Sequence, residues 1–168
     1  DYKPAGFKIS DVHLTFELHD TETKVTAVSR ITKDGAHNNE LFLNGELLKL
    51  ESVSIDGRKL AASEYALVDD NLVIKDVPSS FTLEIVNFVN PDANKALDGL
   101  YKSGAMFCTQ NEPEGFRRIT YFLDRPDVLA KYTTKIIADK TKYPVLLSNG
   151  NPIGQGDLGN GTHFCEWE

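Results

Sequence analysis

The chain has 168 residues, 40% of them hydrophobic, enough for one domain with a genuine core and a poor fit to two very small ones. Its formal charge of -7 argues against a phosphate-backbone binder, which needs clustered Lys and Arg to displace counterions, so no nucleic-acid partner is expected. No apolar run approaches the roughly 20 residues that span a bilayer, and the N-terminus lacks a basic-then-apolar secretory pattern, so the expectation is no membrane partner and a cytoplasmic location.

In chain order, Val12, Leu14, Phe16 and Leu18 alternate with Asp11, His13, Thr15 and Glu17, the period of a strand with one buried face. Lys24 to Thr32 repeats the theme with Val25, Ala27 and Ile31, after the polar link Asp20-Thr21-Glu22-Thr23, which predicts a hairpin. Short segments follow at Leu41 to Leu43, Leu50 to Ile55 and Leu72 to Ile74, each bounded by Asn-Gly, Asp-Gly or Asp-Asp-Asn turn signals. Phe81, Leu83 and Ile85, then Val86, Phe88 and Val89, predict another strand with a bulge where the apolar phase slips.

Asp124-Arg125-Pro126-Asp127 sets a capping side chain and a first-turn proline before Val128-Leu129-Ala130, predicting one short helix near 125–131. Strands are then expected over Tyr132 to Ala138 and Thr162 to Trp167. Gly154, Gly156, Gly159 and Gly161 predict a loop before the last of these. Without helical periodicity elsewhere, the fold class is mainly β: an antiparallel β-sandwich or saddle-shaped domain spanning residues 1–168. The stop at Glu168, just after the apolar and aromatic stretch from His163 to Trp167, suggests a continuation, and a missing neighbouring strand would leave a sheet edge open to self-association.

The densest polar stretch runs from Cys108 through Gln110, Asn111, Glu112 and Glu114 to Arg118. Composition leaves open whether it is a solvated loop or one that presents a carboxylate to a ligand. Cys108, His163 and Cys165 lack the paired local spacing of a zinc site, and nothing nominates an orienting residue for a Cys–His nucleophile; both cysteines read as free thiols. Pairing Glu112, Glu114 and Asp124 as glycosidase acid and base requires a separation that sequence does not supply. The glycines from Gly154 to Gly161 precede no Lys-Ser or Lys-Thr pair, so they are not a phosphate loop, and His13, His19 and His37 show no ligand spacing.

The run Gly99-Leu100-Tyr101-Lys102-Ser103-Gly104, with Cys108-Thr109-Gln110, Glu112, Glu114-Gly115-Phe116-Arg117, Ile119-Thr120-Tyr121 and Leu123 to Ala130, resembles the bacterial zinc metallo-aminopeptidases of the aminopeptidase N family. The similarity continues through Thr133 to Lys140 and Leu146 to Asn151, and more loosely covers the strands before Ala96. It implies an N-terminal β-saddle packed on the catalytic domain of the same polypeptide, in an enzyme that releases N-terminal amino acids from peptides. The family's HExxH and GAMEN motifs are absent here, so zinc is expected in the full-length enzyme, none bound by this domain, with no catalytic residue on this chain and no activity of the chain alone.

The resemblance further implies that Glu112 is the carboxylate that binds the α-ammonium of the peptide substrate's N-terminus, and that Gln110 lines the pocket for the first side chain. Asn111 departs from a relative's Cys. The implied role is physically sound, because a carboxylate accepting from an ammonium separates a chain end from a mid-chain amide by charge. The rivals are a stand-alone, non-catalytic β-sandwich binding module and the epoxide-hydrolase branch of the same zinc family.

Overall fold

The first two period-two segments become long paired strands, β1 (Phe7–Glu17) and β2 (Thr23–Lys33), in a computed structural model that describes residues 2–35 and 39–168. His37 lies outside the described residues. In chain order there follow β3 (Leu41–Leu43), β4 (Lys49–Ile55), β5 (Arg58–Lys59), β6 (Tyr65–Val68), β7 (Asn71–Ile74) and β8 (Ser80–Val89). The second half adds β9 (Gly99–Ser103), β10 (Met106–Gln110), β11 (Lys131–Asp139), β12 (Pro152–Asp157) and β13 (Thr162–Trp167).

Eight strands form one sheet in the order β12-β13-β11-β1-β2-β8-β4-β5, beside a three-stranded sheet β3-β7-β6 and the hairpin β10-β9. The pairing is antiparallel throughout these ladders except between β1 and β11, which run parallel from Asp11–Lys131 to Glu17–Ile137. One hydrophobic cluster joins the sheets: Val12, Val25 and Ile85 of the large sheet with Leu43, Leu72 and Ile74 of the small one.

The alternation in β2 buries Val25, Ala27 and Ile31 as read from the sequence. β1 buries Phe7 and Ile9, then Val12, Leu14 and Phe16, because a bulge between Ile9 and Asp11 shifts its phase by one residue. The bulge expected in β8 is not there. Its register with β2 is unbroken, and Phe81, Leu83, Ile85, Asn87 and Val89 all face the core. The pattern only looked broken because a polar residue takes a fully buried position, where Asn87 Nδ2 donates to the Ile119 carbonyl at 3.0 Å. The irregularity sits on the partner strand β4, between Leu50 and Ser52.

The short helix expected near 125–131 does not form; residues 126 and 127 make a turn, closed by the Val128 amide donating to the Arg125 carbonyl at 3.1 Å. Its intended cap is diverted. The Asp124 carboxylate accepts from Arg117 Nε at 2.9 Å, while Asp127 accepts from Arg125 and from the Tyr2 hydroxyl. The helical turn found among the described residues is a 3-10 turn over Phe116–Arg118.

The glycine-punctuated stretch expected as a loop contains β12, an edge strand of the large sheet. Glycine there makes room for an aromatic ring: a Cβ on Gly156 would stand 2.9 Å from Phe164 Cε1. Likewise, part of the polar stretch after Cys108 is strand, since β10 runs to Gln110.

Candidate functional site

The hairpin β9–β10 carries the predicted residues. Gln110, the last residue of β10, pairs with Gly99, and the chain then turns through 111–115 into the 3-10 turn. The turn is tight because the Gly115 amide donates to the Glu112 carbonyl at 2.8 Å. Gln110 and Glu112 are both exposed.

The two glutamates of this turn meet different surroundings. Glu114 forms an ion pair with Arg117 Nη1 at 3.2 Å, and the same guanidinium holds Asp124. The Glu112 carboxylate has no hydrogen-bond or ion-pair partner among the described residues, which leaves its full acceptor capacity to a ligand. Glu114 and Asp124 are therefore held in one Arg117-centred cluster.

Beside the turn lies an apolar groove of about 910 Å³, walled by the hairpin, by β1 and β11, and by residues 143–149. Thr109, Asn111 and Pro113 line it, while the intervening Gln110 and Glu112 do not. Asn111 therefore faces the groove, and the two expected substrate contacts do not. Phe116 anchors the turn to the groove floor through edge-to-face contacts with Phe122 at 4.8 Å and Tyr132 at 5.9 Å.

The far wall is tied back to the hairpin by charge and by ring packing. Phe107 and Tyr143 lie 5.0 Å apart, and the Tyr143 hydroxyl donates to Asp20, which also accepts from Lys102 at 2.9 Å. The Lys102 ammonium, then the Tyr143 hydroxyl, hold the Asp20 carboxyl below its ordinary value. Asp20 in turn raises Lys102, and burial followed by Asp20 raises Tyr143.

Cys108 and Cys165 are unpaired, and His163 is engaged, its Nε2 donating to the Tyr143 carbonyl at 2.7 Å. Among the described residues no group of three or more His, Cys, Asp or Glu side chains is placed to hold a metal ion, so the donor set for a zinc ion is not found on this part of the chain. Sequence reading gave no role to Asn94, Asp98, Gly115 and Phe116, which pack or bond around the turn and the strand start opposite it. The signal for Gly115 was present, a glycine set between Glu114 and Phe116 where no turn dipeptide asks for one.

The fold defines a class of β-rich domain: three sheets that present a short acidic turn beside an open apolar groove. The family model described as the Peptidase M1 N-terminal domain matches residues 3–168, and the chain belongs to that family. Aminopeptidase N of Escherichia coli K12 is 54% identical over 168 residues, all of this chain and 19% of the relative. Aminopeptidase N of Caulobacter vibrioides is 52% identical over 167 residues, 99% of this chain and 19% of the relative. The chain thus spans about a fifth of these proteins. Among solved structures, Legionella pneumophila aminopeptidase A in complex with aspartic acid superposes with a TM-score of 0.93 at 36% identity, over 99% of this chain and 20% of that one. An M1 zinc metallopeptidase of Deinococcus radiodurans shares the fold at 12% identity, with a TM-score of 0.81 over 96% of this chain and 39% of that one.

Proposed function

We propose that the chain is the first domain of a zinc-dependent aminopeptidase, in which Glu112 accepts hydrogen bonds from the α-ammonium of a peptide and Gln110 borders the pocket for its first side chain. The observation that carries this reading is the exposed Glu112 carboxylate, without a partner among the described residues, on a turn whose other acid pairs with Arg117. An ammonium meeting a carboxylate gains an ion pair as well as a hydrogen bond, whereas a mid-chain amide N–H brings no charge of its own. The chemistry supplied by zinc, polarising the scissile carbonyl and activating water, belongs to residues of the catalytic domain. This chain's part is to select and place the chain end. Its membership of the Peptidase M1 N-terminal family and its likeness to the aminopeptidases support that division of labour.

The groove fits the same picture. Met106, Val145 and Leu147, which line it, are exposed, as is Leu129 next to the lining residue Val128. The catalytic domain of the same polypeptide covers it. Breaking one partner of a desolvated charge pair costs about 2–5 kcal/mol. Glu112→Ala in the full-length enzyme is therefore expected to lower kcat/KM for an aminoacyl anilide roughly 30-fold or more. An unchanged kcat/KM would remove the role.

A further inference from the structure

The turn that carries Glu112 is buttressed by the strand start opposite it, and the buttress leaves no room for a side chain. A Cβ built on Gly115 would collide with Asp98 Oδ1 and lie 2.8 Å from the Gln110 carbonyl oxygen and 3.1 Å from Asn111 Cα. Two of those contacts are with the backbone that holds the expected substrate residues. Gly115 itself has φ of -94° and ψ of -25°, ordinary right-handed backbone, so space and not conformation excludes a side chain there.

The opposing segment is held just as closely. Gly99 has φ of +71°, and a Cβ there would stand 2.6 Å from Arg118 Cβ. Asn94 Nδ2 donates to the carbonyls of Asp98 at 2.6 Å and Leu100 at 3.0 Å, clamping residues 98–100. Arg118 adds ion pairs with Glu46 and, at 3.9 Å, with Asp98. Residues 98–100 are thus held by Asn94 and by Arg118, and Gly115 rests against Asp98.

We infer that Gly115 is a positioning residue for substrate binding: its close contact with Asp98 sets where Gln110 and Glu112 stand, and it acts through Glu112 rather than by touching substrate. The inference rests on the amine-anchoring role of Glu112 proposed above. An alanine at 115 pushes the Gln110–Asn111 backbone out of place, and misplacing a binding group by about 1 Å costs up to about a hundredfold in rate.

The test is a double-mutant cycle in the full-length enzyme, read by kcat and KM on a free-amine aminoacyl anilide, with thermal unfolding recorded for every variant. Gly115→Ala is expected to lower kcat/KM by about tenfold to a hundredfold, mainly through KM, without a comparable fall in kcat. In a Glu112→Ala background the same change is expected to cost less than about twofold, because the group it displaces is gone. Asn94→Ala, which loosens residues 98–100 without adding bulk, should show a smaller loss with the same dependence on Glu112, and it carries the test if Gly115→Ala does not fold. Equal losses with and without Glu112, or no loss in either variant, overturn the positioning role while leaving the amine anchor standing. Full activity of Glu112→Ala overturns both.

Discussion

The two halves of the eight-stranded sheet are built to different standards. In β2 and β8 nearly every second residue is buried, from Thr23 to Ile31 and from Phe81 to Val89. In β11, β12 and β13 only Ala138 is buried. The first half is covered by the small sheet, whose Leu43, Leu72 and Ile74 join Val25 and Ile85 in the core. The second half ends in the open groove, whose rim residues Val145 and Leu147 are 70% and 72% exposed. On the reading proposed above, the open half is the one that a neighbouring domain covers, in a chain that spans about a fifth of its relatives.

The sharpest way to break this comparison is to truncate one residue from each half of this chain. Ile85→Ala, in the closed half, removes a buried side chain between packed sheets and is expected to cost about 2–5 kcal/mol in chemical denaturation. Leu147→Ala, on the open rim, is expected to stay within about 0.5 kcal/mol in the same assay. If both cost the same, the division between the halves is wrong. In the full-length enzyme the Leu147 change should grow while the Ile85 change does not, since only the rim gains a cover.

A smaller effect distinguishes the ties at the surface. The Arg125 guanidinium, then the Tyr2 hydroxyl, hold the Asp127 carboxyl at about 2. A depressed carboxylate stabilises fully above its unfolded value, about 3.9, and that contribution is lost as pH falls through the folded value. The melting temperatures of the parent chain and Asp127→Asn should therefore differ at pH 5 and converge as pH approaches 2. A gap that is constant with pH would mean that Asp127 acts by shape and not by charge.

The same contrast explains which features were legible in the sequence. Val25, Ala27 and Ile31 were readable because the strand keeps one phase and its buried face is largely apolar. β8 misled at Asn87, a buried polar residue whose reason to be there is a carbonyl 32 residues away. The helix signal at Asp124 to Ala130 was locally sound, but tertiary partners outcompeted it: Arg117 took the capping carboxylate, and Arg125 and Tyr2 took Asp127. At the candidate site, the motif supplied Gln110 and Glu112. The Glu114–Arg117 ion pair spans only three residues, whereas Asp98 abutting Gly115 depends on a contact between distant segments that no local pattern records.

The most direct test of the central role of Glu112 keeps its shape and removes its charge. In the full-length enzyme, Glu112→Gln is compared with the parent for inhibition by an amino-acid product and by the same acid lacking its α-amino group. The parent should prefer the amine-bearing inhibitor and Glu112→Gln should lose most of that preference, with the desamino compound binding both alike. An undiminished preference in Glu112→Gln would contradict the account, because the chain end would then be recognised by some other group.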